Sequence, residues 1–211
     1  MSEEINALLS NRAEDERLIV AIGGYCTLGK STLAKQLAEL LVDAVVLQTD
    51  SFEPDRATKR KLGVTGDEPE AIDFGQMIEA IKSLVNGKPT LIRDYDHTNG
   101  VHCEWREVSS ARVIILDGTS SLYEPMRGIS DVAVFLTADE NTLSELARTT
   151  YRTVRNFGDE EFENYWSGYT SNRRLYIDQS IDQAGIIVKV TQNRSFVSTA
   201  IRNCTNHSPK S

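Results

Sequence analysis

Apolar positions along the chain fall into short buried runs that alternate with segments of helical period. Residues 18–22, 44–47, 113–116, 132–136 and 186–190 are too brief for helices and rich in Val, Ile and Leu, so each predicts a strand, with 186–190 the last. Ile5, Leu8, Leu9 and Ala13 recur at helical spacing over 3–13, and Leu33, Leu37, Leu40 and Leu41 form a second stripe. Phe74, Met77, Ile78, Ile81, Leu84 and Val85 mark a third helix, closed by Asn86-Gly87 and Pro89. Residues 143–151 and 162–176 read as two more, joined by Asn156-Phe157-Gly158-Asp159. Residues 90–95 are extended, and 97–108, with Asn99-Gly100 at the turn, predict a small β excursion. The charged stretch 53–70, broken by Pro54, Gly63, Gly66 and Pro69, reads as a loop near the site with a helical turn at most. Strands alternating with helices imply an α/β fold, a parallel sheet with helices on both faces. Such a sheet binds its ligand at the carboxyl ends of the strands.

The first strand breaks at Gly23-Gly24, and the chain restarts as a helix at Lys30-Ser31-Thr32. Gly24, Gly29, Lys30 and Ser31 satisfy G-x-x-x-x-G-K-[ST] between a strand and a helix, as a phosphate-binding loop requires. Glycine lets the backbone approach an anion without a Cβ in the way. Successive N–H groups across Tyr25, Cys26, Thr27, Leu28 and Gly29 then form an anion nest in front of the helix N-terminus. Lys30 supplies a cation to the β- and γ-phosphates of ATP, and the Ser31 hydroxyl is placed for Mg²⁺.

Two carboxylates follow strands that end at the same crevice. Asp50 comes after the second strand and suits a base that takes the proton of an attacking hydroxyl, beside Mg²⁺; the plainer reading is a cap for the next turn. Asp117 ends residues 113–116 and suits a metal-supporting acid, or else a turn before Gly118. Arg148, Arg152 and Arg155 share one helical face. That face either closes over transferred phosphate or is solvated and paired with Glu145 and other acids. His97, His102 and Cys103 lie close together without a fourth ligand at metal-site spacing, and read as loop residues.

Composition narrows the partners. The chain has 211 residues, 40% hydrophobic and 26% charged, which suits one globular domain over 1–202 with a frayed tail over 203–211. Its net charge of −8 and the absence of a basic run longer than Lys59-Arg60-Lys61 argue against nucleic acid. Three cysteines without disulfide or metal spacing fit a reducing, cytoplasmic setting. No apolar run approaches the ~18–20 residues of a membrane span, and residues 1–10 lack a secretory signal's pattern. Nothing in the pattern excludes a homo-oligomer.

Several separated segments resemble the uridine kinase / phosphoribulokinase family of P-loop kinases, over roughly residues 18–190 and in the same order. Besides the phosphate loop, Asp50-Ser51-Phe52 is similar to that family's Asp-Ser-Phe-Tyr, whose Asp is the catalytic base; Glu53 replaces the Tyr. Residues 66–73 resemble Phe-Asp-His-Pro-Asp-Ala-Phe-Asp, which makes Asp67 a ligand for sugar hydroxyls. Tyr95-Asp96-His97 is similar to the Tyr-Asp-Phe of a nucleoside site, which assigns Tyr95 and His97 to substrate. Asp117-Gly118 resembles a Glu-Gly whose acid supports Mg²⁺. The likeness departs at the acceptor: the family histidine falls near Gly100, with His102 close by. The lid, about 148–165, lacks Arg-Gly-Arg, while Trp166 and Tyr169 loosely resemble nicotinamide riboside kinases. The resemblance implies a P-loop NTPase fold with a small helical lid. Its expected activity is transfer of the γ-phosphoryl of ATP to a hydroxyl of a nucleoside or similar small polar metabolite. Alternatives are a non-nucleoside acceptor of the pantothenate or sugar-phosphate type, and a nucleotide-binding regulator that does not turn over.

Overall fold

The computed structural model describes residues 1–201. Helix α1 (Ser2–Ser10) leads into β1 (Leu18–Gly24), α2 (Lys30–Leu40), β2 (Ala44–Gln48), α3 (Arg56–Leu62) and α4 (Phe74–Val85). The chain continues through β3 (Thr90–Asp96), β4 (Val101–Val108), β5 (Val113–Asp117), β6 (Val132–Thr137), α5 (Glu140–Val154) and α6 (Asp159–Asn172). It then forms β7 (Ile186–Val190) and β8 (Phe196–Ile201). The six-stranded sheet has the order β2-β5-β1-β6-β7-β8, and β3 pairs with β4 in a separate hairpin.

Side chains of the central strands divide between two cores by simple alternation. On β1, Ile19 and Ala21 face a core that includes Met77, Ile81 and Leu84 of α4. Leu18, Val20 and Ile22 face the other, with Ile5 of α1, Leu37 of α2, and Leu143 and Leu146 of α5. Neighbouring strands keep the same phase: Ile19 aligns with Ile114, and Val20 with Ile115. Both faces of a central strand are therefore apolar, which is why these segments read as unbroken apolar runs. Among the described residues, no helix is long and apolar enough to cross a membrane.

Three expectations need correction. Residues 186–190 are not the last strand, because β8 pairs antiparallel with β7 and makes an otherwise parallel sheet mixed. The stretch 53–70 holds a capped helix: the Asp55 side chain accepts from Thr58 N at 2.7 Å, and α3 ends at Gly63 with φ 71°. The helix expected over 162–176 closes at Asn172 and passes into a wider π turn, Arg173–Ile177. The tail expected over 203–211 lies outside the described residues.

Gly24 is where the fold tolerates least. Its φ is 120°, and a Cβ there would lie 2.2 Å from the Leu136 carbonyl oxygen of β6. Gly128, with φ 77°, has nothing within 4 Å of the same position. Gly24→Ala should therefore cost roughly 2–5 kcal/mol, from strain and overpacking together, against about 1 kcal/mol of strain for Gly128→Ala. Urea unfolding of the two variants checks the difference; equal losses would contradict the close approach.

Candidate active site

Strand register assembles the site. Asp117 at the end of β5 aligns with Ile22 of β1 on one side and with Gln48 of β2 on the other. The phosphate loop leaves β1 two residues beyond Ile22, and Asp50 sits two residues beyond Gln48. One cleft of about 670 Å³ follows, lined by Lys30, Ser31, Asp50, Asp67, Tyr95, His97, Asp117 and Arg155, with others named below.

Within the loop, Gly29 takes φ 84° and caps α2 without a side-chain hydrogen bond, so the first turn keeps its N–H groups for an anion. Lys30 Nζ donates to the carbonyls of Gly24 (3.2 Å) and Tyr25 (2.8 Å), holding its charge at the mouth of the loop. Cys26, Thr27, Gly29, Lys30, Ser31 and Thr32 line the cleft; Gly24, Tyr25 and Leu28, which the motif also assigned to nucleotide, do not. Leu28 is buried in the core, and the Tyr25 ring packs edge-on against Phe135 at 5.3 Å under the Arg173 guanidinium. Both side chains thus turn away from the cleft. The Cys26 amide donates to the Tyr169 hydroxyl at 2.9 Å, so α6 holds one of the N–H groups that the nest reading left for phosphate.

Asp50 is 30% exposed and accepts a 3.0 Å contact from His97 Nε2. Burial raises its pKa, but the His97 hydrogen bond and charge, with Lys30 and Lys59, outweigh this and hold it below the ordinary value. Asp50 is therefore ionised at neutral pH and able to accept a proton. Asp117 is buried; its burial raises the pKa, opposed by a hydrogen bond from Ser31 and the charge of Lys30. Its Oδ1 is enclosed with no hydrogen-bond partner among the described residues. A carboxylate oxygen left so, beside a serine hydroxyl and a second carboxylate, is a hard donor set that fits Mg²⁺. Among the described residues, no cluster of three or more His, Cys, Asp or Glu could hold a metal alone.

Beyond Asp50 the wall comes from α3, the segment after it and the end of the β3–β4 hairpin. Burial and Glu68 push Asp67 up to about 6, against the pull of Lys30. Burial and Asp50 push Glu53 up to about 8, although Lys59 Nζ lies 2.7 Å from it. His102 does not reach this cleft: its Nε2 contacts the Glu53 carbonyl at 2.7 Å and it lines a separate groove of about 440 Å³.

The three arginines expected on one helical face separate. Arg148 pairs with Glu163 and Asp159, and Arg152 pairs with Asp159, so acids of α6 hold both instead of Glu145. Neither lines the cleft; Arg155 does, with its guanidinium 4.6 Å from the Tyr151 ring centroid. Sequence reasoning passed over Arg194, which donates to the Thr27 carbonyl at 3.2 Å and Thr150 Oγ1 at 2.9 Å. No local spacing marks it. Arg56 and Lys59 were also missed, though their i, i+3 spacing between Asp55 and Gly63 was a usable signal.

A carboxylate kept partly desolvated costs stability, and Asp67 offers a test. Its native pKa lies above the unfolded value of 3.8, so the native state binds more protons and its stability falls as pH rises from about 4 to 6. Asp67→Asn should therefore be about 1–2 kcal/mol more stable than wild type at pH 8 and show no gain at pH 4. Urea unfolding at the two pH values decides it, and a loss at pH 8 would contradict the reading.

Comparison with known proteins places this architecture. Residues 19–196 match the Phosphoribulokinase / Uridine kinase family. Phosphoribulokinase of Synechocystis is 24% identical over 189 residues, which cover 85% of this chain but 55% of that protein. Uridine kinase of Ligilactobacillus salivarius is 27% identical over 190 residues, covering 85% of this chain and 88% of the relative. Among solved structures, D-glycerate 3-kinase from Cryptococcus neoformans shares the fold, with a TM-score of 0.67 and 14% identity over 94% of this chain and 97% of its own. The chain thus belongs to the phosphoribulokinase / uridine kinase family of P-loop kinases.

Proposed function

We propose that the protein transfers the γ-phosphoryl group of ATP to a hydroxyl of a small polar acceptor. The observation that carries this reading is the convergence in one cleft of the phosphate loop, an ionised Asp50 and the partner-free oxygen of Asp117. A protein that only bound nucleotide would need no ionised carboxylate oriented by a histidine beside its phosphate loop.

In this reading, α2's N-terminus and Lys30 bind the β- and γ-phosphates. Ser31, Asp117 and Asp50 would hold Mg²⁺, which when bound screens phosphate charge. Asp50 orients the acceptor hydroxyl and takes its proton as the new O–P bond forms; the bond from the γ-phosphorus to the bridging oxygen breaks, and ADP leaves. His97 Nε2, 3.0 Å from one Asp50 oxygen, orients the carboxylate. Thr150, Tyr151, Val154, Arg155, Phe157 and Tyr165 wall one side of the cleft, so the segment about 148–165 serves as the lid that excludes water.

Lys30→Ala should weaken ATP by ~1.5–3 kcal/mol, the worth of a charge-assisted phosphate contact, as read by calorimetry. Asp50→Asn should fold normally and lower kcat by ~10²–10⁴ with ATP affinity changed far less. Asp117→Asn should lose activity that added Mg²⁺ partly restores. Near-normal kcat in Asp50→Asn would move the base elsewhere.

A further inference from the structure

Helix α6 reaches two separate loops of the cleft from one of its faces. Tyr169 and Asn172 stand at i and i+3 near its end, so their side chains leave the helix in the same direction. The Tyr169 hydroxyl accepts the Cys26 N–H of the phosphate loop at 2.9 Å, and the residue is 2% exposed. The Asn172 side-chain nitrogen donates to Glu68 Oε1 at 2.9 Å and to Thr65 Oγ1 at 3.1 Å. A carboxylate oxygen only accepts, so the amide must turn its two hydrogens this way. Immediately after Asn172 the chain enters the π turn, where the Arg173 guanidinium lies 5.0 Å from the Tyr25 ring centroid. The end of α6 thus grips the phosphate loop twice and the segment 65–68 once.

That segment carries Asp67 into the cleft wall. Glu68 organises it from within: Oε2 accepts from Thr65 N at 2.8 Å, Thr65 Oγ1 at 2.9 Å and Gly66 N at 3.1 Å. Among the described residues, its side-chain hydrogen bonds from distant parts of the chain come from Tyr123 and Asn172. The Tyr123 hydroxyl donates to the Asp67 carbonyl at 2.7 Å, and that ring is buried in the core. It holds the backbone of Asp67 whatever the cleft contains. Asn172 acts nearer the carboxylate, because Thr65 Oγ1, which takes one of its hydrogens, lies 3.4 Å from Asp67 Oδ2.

We propose that Tyr169 and Asn172 are positioning residues, and that α6 is the helix through which nucleotide in the phosphate loop steadies the Asp67 segment. Phosphate held in the loop fixes the Cys26 peptide, and with it the Tyr169 hydroxyl. Asn172 follows after about 4.5 Å of helix rise that holds neither Gly nor Pro, so no hinge separates the two contacts. The order gained at one loop passes to Thr65 and Glu68 at the other. Such coupling is reciprocal: whatever grips the Asp67 segment tightens nucleotide by the same factor. This rests on the kinase reading above and adds a sequence to it, in which nucleotide prepares the wall that the acceptor meets.

Hydrogen exchange of the whole protein, with and without Mg²⁺ and the non-hydrolysable ATP analogue AMP-PNP, tests the proposal without any acceptor. In the wild type the analogue should slow exchange over residues 64–68 by about 5-fold or more, as well as over the phosphate loop. Tyr169→Phe keeps the ring and loses the hydroxyl, and Asn172→Ala removes both donors at a half-buried helix end, so both should fold as wild type. In each, the slowing over 64–68 should largely disappear while that over the phosphate loop persists. If Asn172 only supported local stability, its loss would speed exchange equally with and without analogue and leave their ratio at the wild-type value. That unchanged ratio, or wild-type exchange over 64–68 indifferent to bound analogue, would overturn the inference and leave the kinase reading standing. An analogue that slows exchange at neither place would overturn both.

Discussion

The parallel register of β5 between β1 and β2 is the constraint on which the cleft depends. Asp117 stands level with Ile22 and Gln48, so the loop after β1 and the turn after β2 leave the sheet on either side of one carboxylate. A slip of one residue would turn Asp117 to the other face of the sheet and exchange Ile115 and Leu116 between the two cores, since strand side chains alternate. The apolar cores on the two faces thus fix the position of the polar site. Packing supplies the precision that catalysis needs.

That site gathers charge in a confined space, and the chain compensates charge with charge. Asp50 is held ionised by His97, Lys30 and Lys59. Glu53 and Asp67, with less compensation, are pushed upward instead. Removing one partner would expose an unbalanced neighbour, so these residues act as a set rather than as separable contributors. Outside the cleft, Arg148 and Arg152 are tied to Asp159 and Glu163, which join α5 to α6 across their turn. The joint between α5 and α6 therefore draws on the same kind of pairing as the site.

What was legible in the sequence was local. The phosphate loop, the apolar strands and the helix over Phe74–Val85 are each written in a few consecutive residues, and the structure has them where the pattern placed them. β8 was not, because an edge strand paired on one side carries mixed residues and lacks an apolar run. Nor was the division of labour within the phosphate loop, where Leu28 and Tyr25 turn inward; the motif specifies backbone and says nothing about those side chains. The fates of Arg148, Arg152 and Arg194 depend on partners across a helix turn or a distant loop. Helical spacing gave the arginines a common face and could not say which acids would meet it. Lys59 over Tyr95 is a contact of the same kind, invisible until α3 and the hairpin are packed together.

The central claim is that one cleft brings a phosphate donor and a hydroxyl acceptor together for direct transfer. The most direct measurement incubates the protein with ATP labelled at the γ-phosphoryl, Mg²⁺ and a small-molecule extract, and follows the label by chromatography. Transfer predicts label in an organic phosphate ester, and almost none there with Asp50→Asn. Label that stays in ATP, or appears as inorganic phosphate alone, would contradict the account.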